Sequence, residues 1–133
     1  FVPVENGILD MAALDVALEG AKLVCAVHTS NVLGVRNPVE EIISKSKKVG
    51  ARVLIDAAQA VPHEMIDFKE LGADFLAFSA HKMCGPTGIG ALLISDGAFS
   101  EMEPFMGGGE MIDKVTALIE QKEKDLILSA QNK

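Results

Sequence analysis

The sequence predicts an α/β fold with a mostly parallel sheet, flanking helices and a last strand that runs antiparallel. Two observations point to the parallel part. Short β-branched runs alternate with longer amphipathic stretches, the order expected of βαβ units, and the runs "KLVCAV", "RVLIDAA" and "FLAFSA" are each followed by a polar residue. A third observation sets the last strand. Only the seven residues "KMCGPTG" separate "AFSAH" from the apolar run after it, whereas a parallel crossover needs about a dozen.

In chain order, "LDMAALDVAL" at 9–18 repeats apolar positions at helical spacing and Gly20 closes it, after which "KLVCAV" reads as the first buried strand. A loop around "TSNVLGVRN" follows. Pro38 then opens a helix in which Val39, Ile42 and Ile43 share a face, Glu40, Glu41 and Lys45 face water, and Gly50 is the stop. The continuous apolar character of "RVLIDAA" predicts a central strand buried on both faces. "DFKELG" is a short helix stopped by Gly72, "FLAFSA" the third strand, and "GALLIS" at 90–95 the antiparallel fourth. Residues 116–133 form a divergent, densely charged tail, either an exposed helix or a segment without a packed home.

The chain has 133 residues, enough for one domain, and its 49% hydrophobic and 23% charged fractions argue for a folded protein. Twelve basic against nineteen acidic side chains give a net charge of -7 with no basic stripe, so nucleic acid is not an expected partner. No stretch approaches the roughly 20 apolar residues that cross a bilayer, so a membrane is not expected either. Cys25 and Cys84 lie far apart among apolar residues, which predicts buried thiols and a cytoplasmic, reducing setting. Beginning at Phe1 within an apolar-polar alternation, the chain reads as a piece of something longer.

In open α/β sheets ligands bind beyond the carboxyl ends of the strands. Three such ends are polar: His28, Ser30 and Asn31 after the first strand, Asp56 and Gln59 after the second, Ser79, His81 and Lys82 after the third. An aspartate ending a buried strand is partly desolvated and asks for a cation. A lysine can be that structural partner or can bond covalently to an aldehyde. Ser79 and His81 supply donors suited to a phosphate, and backbone amides of nearby glycines add to them. Aldehyde, phosphate and protonatable ring nitrogen occur together in pyridoxal 5'-phosphate, which uses a lysine, an acidic partner for the ring nitrogen and a phosphate cradle.

The segments "VHTSNVLGVRNPVEEI", "VLIDAAQAVPHEMIDFKELGADFLAFSAHKMCGPTGIGALL" and "MEPFMGGGEMI" closely resemble the central part of class V aminotransferase-like proteins, in particular cysteine desulfurases of the sulfur-mobilisation type and selenocysteine lyases. The joint pattern D-x-x-Q then S-x-H-K-x-x-G-P-x-G is specific, and the likeness runs from about Pro3 to about Val115. It implies that residues 1–115 are part of the pyridoxal-phosphate-binding large domain of a fold type I transferase. It further implies that Lys82 bonds the cofactor and moves protons, Asp56 pairs with the ring nitrogen and Gln59 with the phenolic oxygen. Ser79 and His81 are then phosphate ligands, Asn31 lies beside the substrate carboxylate and the ring, and "GGG" at 107–109 resembles a loop near a dimer interface.

The same resemblance implies a cysteine or selenocysteine substrate, a homodimer in the intact protein, a sulfur-acceptor partner and a role in iron-sulfur cluster assembly. It places a ring-stacking histidine and a phosphate-binding turn before Phe1, and the persulfide-forming cysteine, an arginine and a small domain after the chain, so that the piece alone is not expected to turn over. Plainer roles stand beside these. Lys82 would be a solvated loop lysine, Asp56 and Gln59 a strand-end cap, Ser79 and His81 turn formers, and Asn31 a loop residue. His28 and His63 read as satisfied polar residues, Cys25 as a core thiol, and Cys84 as too tightly held in its turn to be the sulfur nucleophile. The alternatives are another class V enzyme, an aminotransferase or epimerase-like relative, or a non-catalytic module that pairs with a homologue.

Overall fold

The computed structural model describes residues 1–103. The expected tail at 116–133 and the "GGG" at 107–109 lie outside them. Strands β1 (Val4–Glu5) and β2 (Ile8–Leu9) form an N-terminal hairpin not anticipated from the sequence. Its turn residues Asn6 and Gly7 have φ of 52° and 82°, the paired positive values that a two-residue hairpin loop requires. Helix α1 (Met11–Ala17) begins at Asp10, whose carboxylate accepts from the amides of Ala12 and Ala13.

The main sheet contains β3 (Leu23–Val27), β4 (Arg52–Asp56), β5 (Phe75–Ser79) and β6 (Gly90–Ile94), in that spatial order. The first two pairings are parallel and β5–β6 is antiparallel, as the short connection predicts. Helix α2 (Val39–Lys48) crosses between β3 and β4, and α3 (Phe68–Leu71) between β4 and β5. Pro38 occupies the cap position of α2. Asp67 caps α3, and Gly72 ends it at a φ of 73°, where a side chain would be strained. A further short helix, α4 (Asp96–Phe99), follows β6 with Ser95 as its cap.

Side chains alternate along each strand, and the helices cover one face only. Val53, Ile55 and Leu76 pack there with Val39 and Ile43 of α2, while Ile42 joins Leu14 and Leu18. Burying each of these large side chains is worth about 1.5–3 kcal/mol. On the opposite face, in the row Val27, Asp56, Ala77 and Leu92, both Val27 and Leu92 are more than 40% exposed.

This one-sided cover corrects three expectations. The first strand is not buried, since Leu23, Cys25 and Val27 all lie exposed on the open face of β3. Strand β4 is buried on the Val53 and Ile55 side alone. Both thiols are exposed rather than buried: Cys25 points to that open face, and Cys84 sits at a φ of 64° where the chain turns out of β5. Apolar neighbours in sequence do not report whether a second layer covers them.

Candidate functional site

The parallel register brings Val27, Asp56 and Ala77 into one row at the carboxyl ends of β3, β4 and β5. The row extends one step further, because His28 N–H donates to the Asp56 carbonyl and Ala57 N–H to that of Ala77, both at 2.8 Å. All six predicted site residues leave the sheet at this edge. They fall into two groups.

Asn31 and Gln59 line one cleft. The loop after β3 supplies Thr29, Ser30, Asn31 and Gly34, and the segment after β4 supplies Gln59, His63 and Glu64, to an open cleft of about 410 Å³. The β3 loop is held by its own bonds, with Ser30 Oγ accepting from the amides of Val32 and Leu33 and Ser30 N–H donating to Val35 O. Asn37 Nδ2 donates to Val27 O at 2.7 Å and anchors the loop's far end.

Asp56, Ser79, His81 and Lys82 do not line that cleft. Asp56 closes β4 on the open face, and its Oδ1 accepts from Ala58 N–H at 2.9 Å. It is exposed rather than desolvated as expected, because no described element covers that face. Ser79 ends β5, half-buried, and the chain tightens into a 3-10 turn at Ala80–Met83 that carries exposed His81 and half-buried Lys82.

Two glycines hold this turn in place. The loop is closed by Ala80 N–H to Ile89 O at 2.9 Å and Gly85 N–H to Ala80 O at 2.8 Å. A Cβ at Gly85 would stand 2.8 Å from Ala80 Cβ, and one at Gly90 only 2.7 Å from Phe78 O. The glycines of the sequence motif are therefore required by close backbone approach.

Among the described residues neither Lys82 nor Asp56 has an oppositely charged side chain within 4.0 Å. The plain structural reading of the two as an ion pair does not hold. An amine, a carboxylate, two side-chain amides, a hydroxyl and an imidazole thus stand at one sheet edge with bonding capacity to spare. This donor set fits a cofactor with an aldehyde, a basic ring nitrogen, a phenolic oxygen and a phosphate. His28 is a satisfied polar residue, as the sequence predicts: it is 1% exposed, with Nδ1 at 3.0 Å from Thr29 Oγ1. Sequence reasoning did not single out Thr29, Gly34 or Glu64, whose place in the cleft depends on how the two loops fold back.

The fold is thus an α/β sheet, parallel but for its last strand, with a lysine, an aspartate and amide side chains at its carboxyl edge. The aminotransferase class-V family model matches residues 1–128, and the chain belongs to that family, whose members use pyridoxal phosphate. More particularly, the chain is similar to cysteine desulfurases. It is 50% identical over 113 residues to a probable cysteine desulfurase of Streptomyces coelicolor, covering 84% of this chain and 27% of that protein. It is 47% identical to a cysteine desulfurase of Haloferax volcanii, covering 84% of this chain and 26% of the relative.

Among solved structures, the apo cysteine desulfurase of Thermococcus onnurineus superposes with a TM-score of 0.78 at 44% identity, over 88% of this chain and 30% of that one. The chain spans less than a third of the length of these relatives. Among the described residues no helix is long and apolar enough to cross a membrane.

Proposed function

We propose that residues 1–115 are part of the large, cofactor-binding domain of a pyridoxal-phosphate-dependent cysteine desulfurase, which converts L-cysteine, or selenocysteine, to alanine and passes the sulfur or selenium on. The observation that carries this reading is the placement of Lys82 and Asp56 beyond and at the ends of adjacent parallel strands, with no charged partner for either among the described residues. The names of the similar proteins support the choice of reaction.

Pyridoxal phosphate, when bound, supplies an aldehyde and an electron-withdrawing ring. Lys82 is assigned to hold that aldehyde and then, as a free amine, to move the substrate α-proton. The Asp56 carboxylate keeps a proton on the ring nitrogen, which maintains the ring as an electron sink. Gln59 binds the phenolic oxygen, Ser79 and His81 bind the phosphate, and Asn31 orients the substrate carboxylate.

The sulfur acceptor is assigned to a cysteine other than Cys25 and Cys84. Cys84, two residues from Lys82, is held at a left-handed backbone position that closes the turn, which supports assigning the acceptor elsewhere. The intact protein is assigned as a homodimer that delivers sulfur to an acceptor protein for iron-sulfur cluster assembly. A cytoplasmic compartment is assigned as part of the same reading.

The full-length protein, given pyridoxal phosphate and L-cysteine, is expected to release alanine, and Lys82→Ala to slow it by about a thousandfold or more. A keto acid in place of alanine would instead assign an aminotransferase. Absence of any product or cofactor binding would leave a pairing module.

A further inference from the structure

Two loops meet above His28. The first, Thr29–Arg36, leaves β3 and carries Asn31, and it is closed by the Thr29–Arg36 bridge and by Gly34 N–H to Ser30 O at 3.0 Å. The second, Ala57–Glu64, leaves β4 and carries Gln59. It is wound by amide bonds from Val61 to Ala57 O and from His63 and Glu64 to Ala60 O. The 410 Å³ cleft lies between them.

His28 is fixed at the base of both. Its backbone N–H bonds Asp56 O and its carbonyl accepts from Asn37 N–H, each at 2.8 Å. Its Nδ1 lies 3.0 Å from Thr29 Oγ1 on the first loop and 3.5 Å from Glu64 Oε1 at the end of the second. Glu64 in turn lines the cleft and also a second cavity of about 200 Å³, shared with His28, Arg36 and Glu40. A buried imidazole that only filled the core would need no acceptor on a remote segment. This one reaches a carboxylate on a different loop.

We propose that His28 is a positioning residue whose ring, with Nδ1 on Thr29 Oγ1 and facing the Glu64 carboxylate at 3.5 Å, ties the Asn31 loop to the Gln59 loop and sets the width of the cleft between those two side chains. The consequence for cofactor binding rests on the functional reading above; the tie between the loops does not. Burial holds the ring below its ordinary pKa, Glu64 and Glu40 counter this, and Arg36 adds to it. Asp67 and Glu70 face the same cavity. The Thr29 hydroxyl and the Glu64 carboxylate both face Nδ1.

The test is hydrogen exchange on the full chain without cofactor, followed by pyridoxal phosphate titration. His28→Leu removes the donor, His28→Asn restores an amide nitrogen near the Nδ1 position, and Glu64→Ala removes the remote acceptor. With His28→Leu, peptides 29–36 and 57–64 should both exchange about tenfold faster while β4 stays protected. His28→Asn should return both to within about threefold of the parent. Glu64→Ala should loosen 29–36, a loop it does not belong to, and raise the cofactor dissociation constant about tenfold.

Unchanged exchange of 29–36 in Glu64→Ala overturns the proposal, as does equal behaviour of the Leu and Asn variants. Should His28→Leu fail to fold, Glu64→Ala decides alone. Should the parent bind no pyridoxal phosphate, the functional reading falls and the exchange result still decides on the tie.

Discussion

Arg52 and Asp56 begin and end the same strand on the same face, and their surroundings differ. At the amino end, Arg52 donates to Asp74 Oδ1 at 2.7 Å and to Glu101, and Asp74 Oδ2 accepts from Val53 N–H at 2.8 Å. Asp74 is buried, and the bonds to Glu101 and then Asp74 push the Arg52 guanidinium's pKa up. Arg52, Asp74 and Glu101 together tie the start of β4 to the segments before β5 and after α4. At the carboxyl end Asp56 bonds one backbone amide, and Lys82 has no carboxylate within 4.0 Å among the described residues. The amino edge stabilises the sheet, and at the carboxyl edge the charges of Asp56 and Lys82 are left unpaired among the described residues, as the proposed cofactor role requires.

The largest effects should separate the two edges most sharply. Asp56→Asn keeps an oxygen for the Ala58 amide but loses the charge. Pyridoxal phosphate affinity is expected to fall about 10- to 100-fold, since a hydrogen bond to a charged group is worth about 1.5–3 kcal/mol. Its unfolding free energy should stay within about 0.5 kcal/mol of the parent. Asp74→Ala should behave in the opposite way. It strands the Val53 amide and half of the Arg52 pairing, a loss of about 2–3 kcal/mol in denaturant unfolding once the partial exposure of Arg52 is allowed for. Cofactor affinity of the folded fraction should not change.

Gly90→Ala, at the carboxyl edge opposite Ser79, forces a methyl to within 2.7 Å of Phe78 O. The shift needed should cost about 1–3 kcal/mol and weaken the β5–β6 pairing. A melt that matches the parent would show that the turn bearing Lys82 is looser than these contacts imply. The smallest effect concerns pH. The folded His28 has a lowered pKa, so its contribution to stability is present above the unfolded value of about 6.5 and is lost as pH falls toward and through the folded one. His28→Asn should flatten that part of the stability curve, measured by denaturant midpoint.

Much of this arrangement is legible in the sequence. The strand runs, the helix stops at Gly50 and Gly72, and the antiparallel last strand follow from periodicity and connection length. The gathering of the candidate residues at one edge follows too, because parallel strands put their carboxyl ends together whatever the details. Burial was less legible. Cys25 and the "RVLIDAA" strand look buried in an apolar run, but exposure depends on whether a second layer covers the far face. Asn6-Gly7 carries a hairpin signal, but strands of two residues leave no alternation to read beside it. The Arg52–Asp74–Glu101 network joins residues remote in sequence, and the His28–Glu64 contact depends on how a loop folds back. Neither has a local signal.

The account turns on one covalent bond, so the most direct measurement is to load the full-length protein with pyridoxal phosphate, reduce it with borohydride and map the modified peptide by mass. The label is expected on Lys82 alone, within the peptide that follows β5. Label on any other lysine, or cofactor bound with no reducible link to residue 82, would contradict it.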